Sequence, residues 1–286
     1  MRILITGANG ILGRALRERL EAGHTLYLWG REEADLTDET ATRAAARGID
    51  FDAVIHTAAF TNVDACETEY EQALAVNRDG TAHVAGLARE RGAVLIAISS
   101  DYVFDGTKGT PYLEEDPPCP RSAYGRTKLE AETAALRSGA TCLVVRTSWL
   151  FGPGGRNFVD TIAERLTRGE ALRVVDDQRG SPTYARDLAH GIELLLRHGA
   201  TGIVHVTNAG DTTWHGLAVE IARTLGADAP IAAIRSDELH RPAPRPAYSV
   251  LSGARFRALT GDPLPPWQDA VHRHLAGRRA GEGAAA

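Results

Sequence analysis

The chain has few cysteines, the residues on which disulfide-linked folds and most zinc-stabilised folds depend. Its 286 residues include three cysteines, Cys66, Cys119 and Cys142, and no two of them form a CxxC pair. An odd and scattered set is typical of reduced thiols and argues against a disulfide framework or a zinc site. We therefore expect a cytoplasmic protein.

Long apolar runs and an excess of positive charge are also missing. No apolar stretch has the length of a bilayer-spanning helix, and RILITG at residues 2–7 has the pattern of a first strand, not of a signal peptide. The formal net charge of -5 argues against a broad basic face. We expect neither nucleic acid nor a membrane as a partner. The net charge does not exclude a local basic pocket for a phosphorylated ligand.

What the chain does contain is a regular alternation of apolar strand-like runs and helical patterns. The helical patterns include residues 11–23, 72–92 and 185–199. The strand-like runs are RILITG (2–7), HTLYLWG (24–30), FDAVIHTAA (51–59), AVLIAISS (93–100), ATCLVVRTSWLFG (140–152) and GIVHVTN (202–208). Continuous apolar runs are expected where both faces of a sheet are covered. The pattern predicts an α/β fold of the Rossmann type, with a doubly wound parallel sheet.

The composition changes after residue 151, where loop-rich segments appear. We expect residues 1–151 and about 183–209 to form a dinucleotide-binding domain. Residues of about 152–182 and 210–277 would form a smaller α/β lobe for a substrate, and 278–286 would be a disordered tail.

A glycine loop joins the first strand to the first helix. GANGILG places Gly7, Gly10 and Gly13 between them, so that backbone N–H groups and the helix N-terminus can meet a pyrophosphate. The GxxGxxG spacing resembles the short-chain dehydrogenase/reductase superfamily. An ordinary glycine-rich turn is the alternative interpretation.

The end of the second strand indicates which dinucleotide is bound. An acidic residue there would hold the ribose of NAD, but this strand ends in Gly30 and Arg31. A small residue leaves room for a 2′-phosphate, which an arginine can bind with two hydrogen bonds. We predict NADPH, with NADH possible because Glu32 and Glu33 offset the charge of Arg31. A solvated loop residue is the other interpretation of Arg31.

A tyrosine, a lysine and a serine form a candidate proton relay. Tyr124 and Lys128 lie four residues apart on one helix face in SAYGRTKLEAE. The lysine charge is expected to lower the tyrosine pKa, which is ordinarily about 10. Ser100 ends a strand at the sheet edge where ligands of open α/β sheets bind. Tyr124 would protonate a carbonyl oxygen held by Ser100. A plain surface helix is the alternative.

Nearly the whole chain, from residue 7 to about 252, resembles the dTDP-4-dehydrorhamnose reductase family of extended short-chain dehydrogenases. The matching stretches are GANGILG, HTAAFTNVDACE, VNRDGT, SSDYVFDG, SAYGRTKLEAE, RTSWLFG, VVDDQRGSPTYARDLA and RPAPRPAYSVLS. The resemblance implies reduction of the C4 ketone of dTDP-4-dehydro-6-deoxy-L-mannose to dTDP-L-rhamnose. Ser100 falls where the family usually has threonine.

The glycine loop, the proton relay and, for most of the other positions, the family resemblance imply the following set of expected site residues. The catalytic residues are Ser100, Tyr124 and Lys128. The cofactor-binding residues are Gly7, Asn9, Gly10, Ile11, Leu12, Gly13, Arg31, Asp35, Leu36, Ala58, Ala59, Thr61, Asn77, Tyr124 and Lys128. The substrate-binding residues are Val63, Ser100, Asp101, Tyr102, Trp149, Asn157, Gln178, Arg241 and Arg245.

Some of these residues also have a structural interpretation. Asn77 would be structural or water-holding, Asp101 would cap local backbone groups, and Trp149 would pack in the core. Arg241 and Arg245 would be surface charges.

One position departs from the family pattern. Some members form a magnesium-bridged dimer through glutamates, one of which corresponds to Ala15 in this chain. We therefore predict no metal in the site, and a possible homodimer only of another kind.

Three rival functions stay open. Related dehydratases carry Asp-Glu after the serine or threonine, whereas Asp101 is followed by Tyr102 here, and epimerases usually keep a tightly bound NAD. A regulatory binding subunit would not need an intact relay. A 4-ketoreductase for another dTDP-deoxysugar would use the same relay.

Overall fold

Six parallel strands form the centre of the molecule, in the order β2-β1-β3-β4-β5-β10. The computed structural model describes residues 1–284. Its strands are β1 Arg2–Thr6, β2 Thr25–Trp29, β3 Ala53–His56, β4 Val94–Ser100, β5 Cys142–Thr147, β6 Leu150–Phe151, β7 Leu172–Val175, β8 Arg179–Gly180, β9 Thr183–Tyr184, β10 Gly202–His205, β11 Thr212–Thr213 and β12 Ile231–Ile234.

Helices cover both faces of this sheet. They are α1 Ile11–Leu20, α2 Glu39–Ala45, α3 Ala65–Thr68, α4 Tyr70–Leu74, α5 Gly80–Glu90, α6 Ala123–Arg137, α7 Phe158–Thr167, α8 Ala185–Arg197, α9 Trp214–Leu225, α10 Ala254–Thr260 and α11 Trp267–Ala284. A π-helical turn, Ala75–Asp79, joins α4 to α5, and 3₁₀ turns span Asp101–Val103 and Ser236–Glu238.

The sheet is buried on both faces because its side chains alternate between two separate cores. Ile3 and Ile5 pack on the α1 and α8 side, while Leu4 packs on the α5 and α6 side. This explains the continuous apolar runs of the sequence. The predicted fold class, a doubly wound parallel sheet, is confirmed.

A third core lies outside the main sheet. Apolar residues of α7, α9 and α11 pack together with β7, which pairs in parallel with β12. Helix α11 continues to Ala284, whereas the sequence predicts a disordered tail from residue 278. The last two residues of that predicted tail lie outside the described part of the chain.

Two predicted elements are interrupted in the structure. The run 140–152 forms β5 and β6 separately, because Trp149 has a φ of 46° and cannot continue a strand. The long helix predicted over 72–92 contains the π-helical turn at 75–79. Within residues 1–284 no helix has the length and apolar character needed to cross a bilayer.

Candidate active site

The glycine loop forms a tight turn between β1 and α1. Gly7 has a φ of 67°, and a side chain there would place its Cβ only 2.6 Å from the Ala58 nitrogen. A Cβ on Gly13 would lie 2.4 Å from the Gly7 carbonyl oxygen. Helix α1 begins after Gly10 with no side-chain cap. The first-turn N–H groups can therefore face an anion. The turn from Gly7 to Gly13, called the glycine cradle below, fits a dinucleotide pyrophosphate.

The end of β2 brings together Asn9, Gly30 and Glu33. The Gly30 amide donates to Glu33 Oε2 at 2.6 Å, and a Cβ on Gly30 would lie 2.5 Å from Asn9 Nδ2. Arg31 is exposed beside them. Sequence reasoning named Glu33 only as a charge offsetting Arg31. The hydrogen bond to the Gly30 amide was not predicted from the sequence.

The segment after β2 is held by its own polar groups. The Asp35 carboxylate accepts from the Thr37 hydroxyl at 2.7 Å and from the Thr37 amide at 2.9 Å, and these hydrogen bonds lower the Asp35 pKa. The Leu36 carbonyl accepts from His83 Nδ1 at 2.8 Å. These contacts fix the backbone of Asp35 and Leu36, two of the predicted cofactor-binding residues.

Asn77 connects the loop after β3 to helix α6. Its Oδ1 accepts from the Phe60 amide at 2.8 Å, and its Nδ2 donates to the Phe60 carbonyl and to Thr127 Oγ1. Asn77 is buried and lies in the π-helical turn, a feature often found near functional sites. It thereby positions the loop that carries Ala58, Ala59 and Thr61 beside the tyrosine helix.

A buried histidine behind this loop was missed by sequence reasoning. His56 contacts Thr6 Oγ1 at 2.7 Å through Nδ1 and Thr81 Oγ1 at 3.1 Å through Nε2. Thr81 donates its own hydrogen to the Asn77 carbonyl, so Nε2 carries the imidazole proton. Burial, followed by the charge of Lys128, lowers the His56 pKa to about 3. The ring is therefore neutral and structural.

Ser100 and Tyr124 meet at the carboxyl end of β4. Ser100 Oγ donates to Asp101 Oδ1 at 2.9 Å and accepts from the Tyr102 amide at 3.2 Å. A hydrogen bond with Ser100 lowers the Tyr124 pKa, but burial raises it more, and the nearby Asp101 charge raises it further. The net effect keeps Tyr124 as a neutral phenol.

Lys128 lies one turn further along α6 and is buried. Its Nζ donates to the Ile98 carbonyl at 2.7 Å. Burial lowers its pKa to about 8, although Glu132 acts in the opposite direction. The expectation that Lys128 would lower the Tyr124 pKa is not met in this structure, because the cost of burying a phenolate outweighs the other influences.

The neighbouring Ser99 has a different role. Its hydroxyl donates to Glu132 Oε1 at 2.5 Å, and Glu132 also accepts two hydrogen bonds from Arg146, at 2.8 and 2.7 Å. Adjacent strand residues point to opposite faces, so only Ser100 reaches Tyr124. The buried Glu132–Arg146 pair fixes α6 against β5, and sequence reasoning did not find it.

Trp149 is held by a second tryptophan. The rings of Trp149 and Trp214 stack with centroids 3.6 Å apart and an interplanar angle of 5°. A Cβ on Gly180 would lie 2.5 Å from the Trp149 ring. Trp214 Nε1 donates to Gln178 Oε1 at 3.2 Å, and Gln178 Nε2 donates to Ser236 Oγ at 2.7 Å. Sequence reasoning missed Trp214, which lies 65 residues along the chain from its partner.

Three of the predicted substrate-binding residues, Asn157, Arg241 and Arg245, have protein partners in the structure. Arg245 makes two hydrogen bonds to Asp64, at 2.6 and 3.0 Å, whereas Arg241 lies 3.6 Å from the same carboxylate and is half-exposed. Asn157 caps α7 by accepting from the Asp160 amide, and its Nδ2 donates to the Gly152 carbonyl. A ligand role for these three residues stays a prediction. The Asp64 contacts bring Arg241 and Arg245 to the loop that carries Val63.

Comparison with known proteins gives consistent matches over almost the whole chain. The family model described as the RmlD substrate binding domain matches residues 1–279. A probable dTDP-4,6-dihydroxy-2-methyloxan-3-one 4-ketoreductase of Streptomyces antibioticus is 46% identical, with 95% of this chain and 93% of the relative covered. A dTDP-4-dehydrorhamnose reductase of Streptomyces griseus is 43% identical, with coverage of 94% and 91%.

Solved structures agree with these relatives. A dTDP-4-dehydrorhamnose reductase of Bacillus anthracis, solved in complex with NADP, is 33% identical and superposes with a TM-score of 0.94. The match covers 96% of this chain and 99% of that one. The family suggested by the sequence motifs is confirmed.

Proposed function

This chain belongs to the dTDP-4-dehydrorhamnose reductase family, and on that premise we propose that it reduces the C4 ketone of dTDP-4-dehydro-6-deoxy-L-mannose to dTDP-L-rhamnose with NADPH. The observation that carries the proposal is the contact between Ser100 and Tyr124 at the carboxyl end of β4, with Lys128 one helical turn away. This edge of a doubly wound sheet is where ligands bind.

The proposed chemistry needs a proton donor beside the ketone oxygen. The cofactor, when bound, supplies the hydride that reaches C4. Tyr124 gives its phenolic proton to the oxygen, which completes the alcohol, and its raised pKa keeps that proton in place beforehand. Ser100 holds the ketone oxygen. Lys128 stabilises the phenolate that Tyr124 becomes.

The cofactor would lie on the first domain. Residues 1–151 and about 183–209 would bind it through the glycine cradle, and Arg31 would contact a 2′-phosphate. Residues of about 152–182 and 210–277 would hold the sugar nucleotide. We propose that the enzyme works in the cytoplasm. We also propose that its site holds no metal, since Ala15 stands where some relatives have a bridging glutamate.

A second candidate substrate is supported by one relative. The Streptomyces antibioticus protein is a probable 4-ketoreductase for a different dTDP-sugar, at 46% identity. The relay would be unchanged for such a substrate. The difference would lie in the sugar contacts around Trp149 and Tyr102.

The deciding experiment follows NADPH consumption with two dTDP-4-ketosugars. One is dTDP-4-dehydro-6-deoxy-D-glucose and the other is its C3, C5 epimer, the L-mannose derivative, with NADH assayed in parallel. Preference for the L-epimer, with dTDP-L-rhamnose identified by NMR, supports the proposal. Turnover to the C4 epimer, or preference for the D-sugar, supports the second candidate. No turnover of either sugar contradicts the first candidate.

A further inference from the structure

Asp101 is a buried carboxyl group in direct contact with the proposed proton relay. It follows Ser100 in the chain and its side chain is 1% exposed. Oδ1 accepts the Ser100 hydroxyl hydrogen at 2.9 Å, and the Ser249 hydroxyl also lies beside the carboxyl group. Burial of an ionised carboxylate is costly even when hydroxyl groups bond to it, so this arrangement calls for a functional explanation.

Ser100 has a single hydroxyl hydrogen, and Asp101 determines where it points. An ionised carboxylate only accepts hydrogen bonds, so the hydrogen must point at Oδ1. The Tyr102 amide and the Tyr124 phenol already contact the Ser100 oxygen. In this state Ser100 has no hydrogen left to donate to a ketone oxygen.

Protonation of Asp101 reverses the direction of this hydrogen bond. A neutral carboxyl group can donate its own hydrogen to Ser100 Oγ, which frees the serine hydrogen for the ketone oxygen. The serine oxygen has two lone pairs, so it then accepts from Asp101 and from the Tyr102 amide, while the Tyr124 hydroxyl points at the ketone. It also removes a negative charge from beside the oxygen on which charge develops during hydride transfer. Both effects favour reduction in the protonated state.

We propose that Asp101 is a positioning residue for the reduction: its protonated form turns the Ser100 hydroxyl toward the substrate ketone, and its ionised form turns it away. This inference rests on the proposed function. It assigns to Asp101 a role separate from contact with the sugar, because Asp101 acts through Ser100.

The surroundings of Asp101 cause its carboxyl group to lose its proton near neutral pH. Burial raises its pKa to about 6, against the lowering effect of the nearby Ser249 and Ser100 hydroxyls. The titratable groups facing it are Tyr102 on its own turn and Tyr124 on α6, and burial raises the pKa of both phenols. The charged groups around Tyr102 are Asp64, Arg241 and Arg245, and α6 also carries Lys128.

The test compares pH profiles of kcat/KM for wild type and Asp101→Asn. The asparagine amide can donate to Ser100 at every pH, so the variant should not lose activity between about pH 6 and pH 8. Wild type should fall over that range, by up to about tenfold per pH unit if only the protonated form is active. Asp237→Asn, a change at a 78% exposed side chain, is the matched control and should keep the wild-type profile.

Ser100→Ala shows whether Asp101 acts through Ser100. We expect this variant to be slower and to lose the fall in kcat/KM assigned to Asp101. A fall of the wild-type size in Ser100→Ala would mean that the carboxylate acts directly, and it overturns the inference. Because this variant keeps Asp101, the result holds even if Asp101→Asn does not fold.

Two further outcomes count against the role of Asp101. One is a wild-type profile in folded Asp101→Asn. The other is a uniform loss of activity at all pH values in that variant, with folding checked by thermal unfolding. Absence of any turnover by wild type overturns the proposed function itself, and this inference with it.

Discussion

At the scale of single residues, the surroundings of Tyr124 favour the protonated phenol, which can donate a proton, over the negatively charged phenolate. Its ring is buried and packs edge-on against Tyr102, with centroids 5.5 Å apart. Burial raises its pKa, so the phenol stays protonated at neutral pH. Reduction of a ketone needs this form, whereas oxidation of an alcohol would need the phenolate.

Tyr124→Phe should therefore remove the general acid while preserving the packing of the ring. We expect kcat to fall by at least about 10²-fold, the usual cost of losing a general acid. Steady-state assays of NADPH consumption measure this. Tyr27→Phe on β2 is the matched control and should stay close to wild type. Retention of activity in Tyr124→Phe would contradict the mechanism.

Arg31 and Glu33 act in opposite directions on the choice of cofactor. Arg31 favours a 2′-phosphate, while the Glu33 carboxylate lies on the Gly30 amide at 2.6 Å and would repel that phosphate. We expect Arg31→Ala to lower kcat/KM for NADPH by about tenfold, which corresponds to the loss of one exposed charge-assisted contact of about 1.4 kcal/mol. The NADH value of the same variant is the internal control. Equal changes with both cofactors would refute this account of Arg31.

At the scale of elements, α6 positions the relay and its first turn is firmly capped. Ser122 Oγ accepts from the Gly125 amide at 3.1 Å, and Glu67 accepts from the Ala123 amide at 2.8 Å. Gly125 is required where α6 crosses the 3₁₀ turn, since a Cβ there would lie 2.2 Å from the Tyr102 carbonyl oxygen. The start of the helix and the Ser100–Tyr102 turn are therefore held as one unit.

Ser122→Ala should destabilise the first turn of α6 and its contact with the Ser100–Tyr102 turn. Loss of an N-cap costs about 0.5–2 kcal/mol of stability. We also expect a drop in kcat, because Tyr124 follows two residues after the cap. Thermal unfolding and steady-state kinetics measure the two effects. Thr133→Ala, at an exposed position of the same helix, should leave both nearly unchanged. An unchanged melting temperature in Ser122→Ala would contradict the capping argument.

At the scale of the whole molecule, two buried histidines link stability to pH. Burial lowers the pKa of His56 and of His205 to about 3, and the charges of Lys128 and Arg146 contribute. The unfolded chain binds these protons below about pH 6.5, whereas the native protein does not. Stability is therefore present above pH 6.5 and is lost as the pH falls toward 3. Asp101, whose pKa is raised, offsets part of this loss below about pH 6.

Urea unfolding at a series of pH values tests this account. Each buried histidine should contribute up to about 1.4 kcal/mol per pH unit below pH 6.5. His205→Gln removes one titrating group, so its stability should depend less steeply on pH than that of wild type. His240→Gln, at an exposed position, should keep the wild-type slope. The same slope in all three proteins would contradict the argument.

The sequence by itself determined the fold class, the family and the position of the glycine cradle. These depend on local patterns: a buried strand has to be continuously apolar, and a tight turn against Ala58 requires Gly7. The placement of Tyr124 and Lys128 on one helix face likewise follows from their four-residue spacing. Such features can be predicted because each depends on residues that are close together in the chain.

The tertiary structure decided which of the predicted side chains are in contact, and which of them are ionised. Ser100 rather than Ser99 faces Tyr124, because the register of β4 sends the two hydroxyls to opposite sides of the sheet. Trp214 stacks on Trp149 although 65 residues separate them in the chain. The pKa of Asp101 also depends on burial, which packing of distant segments creates. Contacts and desolvation of this kind arise only when the chain is folded, so no local pattern encodes them.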